Sequence, residues 1–335
     1  MASGVRLVLA LALALAQGAL AAEMAPFDLQ GHRGARGLAP ENTMAAFRRA
    51  LEIGVSTIET DVAITRDRIA VVSHDPLLNP DLVRDASGAW ITQKGVAISS
   101  LTFAELRTYD IGRLDPRSSY AKGFALQRPA DGERFPALRE LLQLVREHSR
   151  GPAAASGQQR APVELNIETK ITPDDAGQTQ GPATFVRIIL DEVRTAGLLD
   201  RVTVQSFDWR TLLEAKKIEP KVRTSCLTIE TTSNNTMAAG TDGRSPWHAG
   251  LALADYGSVP GLVKAAGCSI WSPFFRNVTP ELVAKSHALG LRVLPWTVND
   301  PADMRRMIDQ GVDGLITDYP DRLREILEQK GMPLR

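Results

Sequence analysis

Short apolar or alternating runs recur along the chain, and most are followed by an apolar stripe at helical spacing. The strand-like runs cover residues 27–31, 55–63, 163–169, 201–207, 222–228, 268–273, 292–298 and 314–318. The helical stripes cover 42–53, 137–148, 183–196, 209–217, 259–266, 279–289, 301–310 and 320–329. Several helices announce their start, as in Thr279-Pro280-Glu281 and Asn299-Asp300-Pro301, where a side-chain cap precedes a proline in the first turn. Strands alternating with helices imply a parallel sheet, because a parallel partner can be reached only by a long crossover. Eight repeats at this length favour closure into a (β/α)8 (TIM) barrel. That makes residues 23–330 a single domain.

Three stretches break the rhythm. Met1–Ala22 carries Arg6, an apolar run from Leu7 to Ala16 and the small-residue pattern Ala19-Leu20-Ala21. It reads as a removable secretory signal, too short to span a bilayer. The mature protein is therefore expected to be exported, most simply to a bacterial periplasm, with no membrane span. Between the second and third barrel strands, Ile69–Asp75 offers a hairpin partner. A polar, Gly- and Pro-punctuated insertion follows at about residues 76–136, and residues 149–161 have the composition of a surface loop. A second long polar loop spans residues 230–258. Either loop would border one rim of the barrel.

Charge narrows the partners. The chain holds 39 basic and 39 acidic residues, and losing Arg6 with the leader leaves 38 against 39. Such a balance gives no reason to invoke nucleic acid or an anionic membrane. Nothing in the pattern calls for an obligate protein partner. The two cysteines, Cys226 and Cys268, fall near the end of one strand and the start of the next. Parallel neighbours in that arrangement sit too far apart to bridge, so two buried free thiols are expected.

In a barrel of this kind, functional groups collect where strands run into loops. The first strand ends in His32-Arg33, within a turn that also holds Gly31, Gly34 and Gly37. The second contains Glu59-Thr60-Asp61 and the third Glu168-Thr169-Lys170, each pair of ionisable groups two apart and so on one strand face. The hairpin ends in His74-Asp75; later strands carry Gln205-Ser206, Trp296-Thr297 and Thr317-Asp318. Three carboxylates converging on a barrel mouth need a cation. An all-oxygen set selects Ca2+ or Mg2+ over zinc. Arg33 and Lys170 make an anion clamp, and His32 and His74 supply a general acid and a general base. Each piece alone has a bland reading, as a surface ion pair or a hydrogen-bonded structural histidine. His148, His248 and His287 are read as structural or surface groups. Recurrence at successive strand ends is what favours chemistry, and the combination suits phosphoryl transfer.

Together, His32-Arg33-Gly34, Pro40-Glu41-Asn42-Thr43, Glu59-Thr60-Asp61-Val62, His74-Asp75, Glu168-Thr169-Lys170, Gln205-Ser206-Phe207, Trp296-Thr297-Val298-Asn299 and Gly311–Pro320 resemble the motif set of the glycerophosphodiester phosphodiesterases. The likeness runs from about Asp28 to Leu327, and the exported form with a long insertion is similar to the periplasmic branch. The resemblance implies a phospholipase C-like barrel that hydrolyses small glycerophosphodiesters to sn-glycerol 3-phosphate and an alcohol. It implies His32 and His74 as the acid/base pair and Glu59, Asp61 and Glu168 as holders of one Ca2+ or Mg2+. Arg33 and Lys170 would grip the phosphate, and Glu41 would orient His32 or Arg33. Gln205 and Trp296 would line the pocket. The alternatives are a lysophospholipase D-like enzyme acting on lipids and a non-catalytic exported glycerophosphodiester-binding protein. Binding alone needs no pair of proton carriers, and the polar insertion offers no obvious groove for an acyl chain.

Overall fold

A computed structural model describes residues 26–92, 95–149, 162–174 and 177–335. The expected leader, residues 1–22, and residues 150–161 of the expected surface loop lie outside them. Eight parallel strands form the barrel: β1 (Asp28–Gly31), β2 (Thr57–Ile64), β4 (Glu164–Thr169), β5 (Val202–Ser206), β6 (Arg223–Thr228), β7 (Ile270–Pro273), β8 (Arg292–Val293) and β9 (Gly314–Thr317). Their order around the sheet is β8-β7-β6-β5-β4-β2-β1-β9. The last gap is bridged by single backbone hydrogen bonds. Asp313 N–H donates to Val293 O at 3.0 Å, Ile316 N–H to Pro295 O at 3.0 Å and Val298 N–H to Ile316 O at 3.0 Å. The strand expected over 292–298 is regular only at its start, because Pro295 has no N–H to give to a ladder.

The helices lie outside: α1 (Met44–Ile53), α2 (Leu138–His148), α3 (Pro182–Ala196), α4 (Trp209–Ile218), α5 (Val259–Ala265), α6 (Pro280–Ala288), α7 (Pro301–Asp309) and α8 (Pro320–Gln329). Their ends follow local chemistry. Thr43, Thr279 and Asp300 cap α1, α6 and α7 through their side chains, while Gly54 and Gly197 take the left-handed turn after α1 and α3. Outward-facing strand residues such as Ile58, Val62 and Val204 pack with Phe47, Phe185 and Trp209 from the helices into one continuous core. The lumen is polar instead. Asp28, Gln30, Glu59, Asn166 and Gln205 are all buried. Asn166 Nδ2 donates to both Gln30 Oε1 and Gln205 Oε1, each at 2.9 Å, which leaves the Gln205 Nε2 to donate to Glu59 Oε1 at 2.8 Å.

After β2 the chain turns back as β3 (Ala70–Val72), antiparallel to it with Val62 opposite Val72. The insertion then builds a small apolar core of its own from Leu78, Val83, Ile98, Leu106, Ile111 and Phe135 against Ala63 and Val71. Its place is the rim at the carboxyl end of β2, where it reaches across the β1–α1 loop.

The cysteines correct an expectation. Cys226 and Cys268 form a disulfide, with Cα atoms 6.0 Å apart. The argument from parallel register failed because Cys268 precedes β7, which starts at Ile270. It belongs to the turn leaving α5, where Gly267 takes a φ of +78°. That turn passes through the helix-side core, into which Cys226 also projects.

Candidate active site

The loop after β1 is the pivot of the site. Gly34, at φ +86°, lies so close to α1 that a Cβ there would meet Ala46 backbone at 2.7 Å. Arg33 is itself left-handed at φ +49°, an uncommon state for a residue with a side chain. The strain is held by its surroundings: Arg33 N–H donates to Glu59 Oε2 at 2.8 Å, and Asn42 N–H donates to Arg33 O at 3.1 Å. This conformation carries His32 and Arg33 over the open, carboxyl end of the barrel.

A cleft of about 180 Å3 opens there, lined by His32, Arg33, Glu59, His74, Glu168 and Lys170 on one side. Gln205, Phe207, Trp296 and Thr297 line the other. Of the residues singled out from the sequence, Glu41 and Asp61 sit behind this wall. Glu41 is buried with Oε1 on Arg33 Nη1 at 2.6 Å, and Asp61 is buried beside Arg33 Nε at 3.3 Å and Lys170 Nζ at 3.7 Å.

The two histidines are held alike but sit differently. His32 Nδ1 lies 2.6 Å from Asp318 Oδ1, and its side chain is 11% exposed. His74 Nδ1 lies 2.7 Å from Asp75 Oδ1, with 31% of its side chain exposed. Burial, with help from the neighbouring Arg36 cation, pushes His32 down to about 4 despite the pull of Asp318. Asp75 is held at about 2, since its hydrogen bonds to His74 and Asn79 outweigh its own burial.

Glu59, Asp61 and Glu168 each present an oxygen within 4.8 Å of the others, and all three are buried. Burial and the two adjacent carboxylates drive the Glu59 carboxyl well above the usual range. Burial acts on Asp61 in the same sense, but Arg33, His74, Lys170 and the Asn42 amide hold it below that range. Asp61 Oδ1 is buried without a hydrogen-bond partner. Glu168 pairs with Lys170 at 2.7 Å, and that carboxylate with Asp61 keeps the lysine charged against the cost of burial. A crowded, dry, all-oxygen set with an orphaned lone pair fits a hard divalent cation.

Several contributors were not assigned from sequence. Asp318, at the end of β9, binds Arg36 through Nε at 2.8 Å and Nη2 at 2.9 Å in addition to His32. It also accepts from Asn299 Nδ2 at 2.7 Å. Burial opposes its charge, yet these cations keep it strongly acidic. Its position at a strand end was the available signal. Asn42, at φ +56°, donates from Nδ2 to Asp61 Oδ2 at 2.9 Å. Tyr120, in the insertion, donates to Glu41 Oε2 and left no signal in the sequence. His248 is buried and packs on Trp209, with ring centroids 4.5 Å apart, while His287 pairs with Asp313 at 2.9 Å.

Comparison with known proteins converges on one family. Residues 32–322 match the profile of the glycerophosphoryl diester phosphodiesterase family. A glycerophosphodiester phosphodiesterase from Caldanaerobacter subterraneus subsp. tengcongensis is 29% identical over 90% of this chain and 97% of its own. The crystal structure of a putative glycerophosphoryl diester phosphodiesterase from Silicibacter pomeroyi is 36% identical with a TM-score of 0.78, covering 93% of this chain and 96% of that one. An Oleispira antarctica phosphodiesterase, solved with the product sn-glycerol 3-phosphate, shares the fold at a TM-score of 0.62 and 20% identity, over 89% and 96% of the two chains.

Proposed function

The chain belongs to the glycerophosphoryl diester phosphodiesterase family and is a phosphoric diester hydrolase, and from that premise we propose a metal-assisted, histidine-based hydrolysis of glycerophosphodiesters. The products are sn-glycerol 3-phosphate and an alcohol. The observation that carries this reading is one cleft lined by two carboxylate-braced histidines, the Arg33 and Lys170 cations, and Glu59 and Glu168, with the third clustered acid, Asp61, directly behind them.

Arg33 and Lys170 bind the phosphodiester and fix its orientation, which suits a reaction where positioning and charge neutralisation dominate. One histidine takes the proton from the nucleophile, either water or the neighbouring glycerol hydroxyl, as the new P–O bond forms. The other gives a proton to the alkoxide as the old P–O bond breaks. If the glycerol hydroxyl attacks, a cyclic phosphate results and the histidines exchange roles as water opens it. Asp318 and Asp75 hold Nδ1 of their respective histidines, so the Nε2 edge is left for proton transfer. Bound by Glu59, Asp61 and Glu168, one Ca2+ or Mg2+ would supply charge neutralisation at the phosphoryl oxygens. Phe207 and Trp296 exclude water from the opposite side and provide an apolar face for the glycerol carbons.

Export is part of the proposal. The leader-like start and the buried Cys226–Cys268 bridge both suit an oxidising compartment such as a periplasm. Among the described residues, no helix is long and apolar enough to cross a membrane.

The test is release of glycerol 3-phosphate from glycerophosphocholine by the mature protein, before and after EDTA and with Ca2+ or Mg2+ restored. Release that stops with EDTA and returns with one ion is expected. Release indifferent to complete metal removal would take Glu59, Asp61 and Glu168 out of the metal role.

A further inference from the structure

The insertion does more than border the cleft. Its segment 118–128 lies as a strap across the β1–α1 loop. Ser118 caps a helical turn, Ser119–Lys122, that presents Tyr120 inward, and Phe124 packs on Tyr120 with tilted rings and centroids 5.1 Å apart. The strap is fastened to the loop at several points. Gln127 Nε2 donates to Arg36 O at 2.8 Å, Arg128 N–H donates to Leu38 O at 3.0 Å, and the Arg36 guanidinium lies 4.8 Å from the Phe124 ring centre.

Tyr120 ties this strap to the site. Its hydroxyl accepts from Arg36 Nη1 at 3.1 Å and donates to Glu41 Oε2, while Glu41 Oε1 holds Arg33 Nη1 at 2.6 Å. Arg33, Glu41, Tyr120 and Arg36 thus form one chain of charge-assisted hydrogen bonds. Arg36 in turn grips the Asp318 carboxylate that braces His32. Burial and the Glu41 charge keep the Tyr120 phenol protonated, so it remains a donor. Without that O–H, one oxygen of a buried carboxylate loses its donor. Glu41 would then be free to turn, and Arg33 would lose one of the two carboxylates that fix its guanidinium, keeping only Asp61 at Nε.

We propose that Tyr120, supplied by the insertion, is a positioning residue that preorganises Arg33 for phosphate through Glu41, making anion affinity depend on the docked strap. This deepens the function proposed above and rests on Arg33 serving as the phosphate clamp. The insertion is then part of the binding apparatus, although the Tyr120 side chain itself does not line the cleft.

Calorimetric titration with inorganic phosphate tests this without relying on turnover, using wild type, Tyr120→Phe, Glu41→Gln and the double variant. Tyr120→Phe should weaken phosphate about tenfold, the scale of losing one charge-assisted hydrogen bond, while the melting temperature falls by no more than about a few degrees. The double variant should bind little more weakly than Glu41→Gln alone, because Tyr120 reaches Arg33 only through Glu41. A merely structural tyrosine would give additive losses. Phe124→Ala loosens the strap and keeps the hydroxyl, so it should cost less, about two- to fivefold. Wild-type phosphate affinity in Tyr120→Phe, or additive losses in the double variant, would overturn the inference. The wild type is assayed on glycerophosphocholine in parallel. If it releases no glycerol 3-phosphate while the phosphate titrations behave as expected, the proposed reaction fails and the role of Tyr120 stands.

Discussion

The two halves of the cleft are built on opposite principles. The half above β1, β2 and β4 is ionic: His32, Arg33, Glu59, Asp61, Glu168 and Lys170 are buried or nearly so, and each is bound to at least one other charged or polar group. The half above β5 to β8 is aromatic. Phe207 meets Trp296 edge-on with centroids 5.3 Å apart and Trp247 at 6.4 Å, and Phe274 packs on Trp296 at 5.7 Å. Charge needs company in a dry site, so the ionic half can hold its geometry only as a network. Aromatic faces need only contact, and each contributes by area. The proposed function therefore places chemistry on the side where single changes propagate, and recognition on the side where they stay local.

Removing charge from the ionic half should give the largest effects. Asp61→Asn, or stripping metal with EDTA, should lower kcat by about 10³-fold or more. Measured turnover within a few-fold of wild type would contradict the division. Replacing His32 or His74 by Ala should cost roughly 10²–10⁴-fold in kcat. Because His32 is more deeply enclosed than His74, small exogenous imidazole should rescue the His74 variant better, which rate measurements at increasing imidazole can decide.

Changes in the aromatic half should be milder and fall on affinity. Trp296→Ala is expected to raise KM about tenfold with a smaller change in kcat, the size of losing one well-packed aromatic contact. A collapse of kcat there would mean that the aromatic side also aligns the reacting groups. Farthest from the comparison is the Cys226–Cys268 bridge, 42 residues apart in sequence. Opening it with Cys268→Ser should cost about 2–4 kcal/mol of stability and leave kcat/KM intact. Thermal melts run alongside kinetics would separate the two quantities.

Much of this was legible before any coordinates, for a physical reason. Side chains on a strand alternate faces and those on a helix recur every three to four residues, so spacing alone marked the eight barrel strands and their helices. The same alternation brought Glu59 to Asp61 and Glu168 to Lys170 on one face. Sites at the carboxyl ends of parallel strands then follow from the fold. What spacing cannot express is contact between distant segments off the regular elements. Asp318 reaches His32 across 286 residues only because the barrel closes. Tyr120 reaches Glu41 because the insertion folds back over the β1–α1 loop. Cys268 reaches Cys226 because its turn departs from the strand register used to keep them apart. Local periodicity determined the elements, their order and the strand faces on which ionisable groups gather. Only tertiary structure decided which buried donor meets which acceptor, since that depends on loop paths and closure rather than on any repeat along the chain.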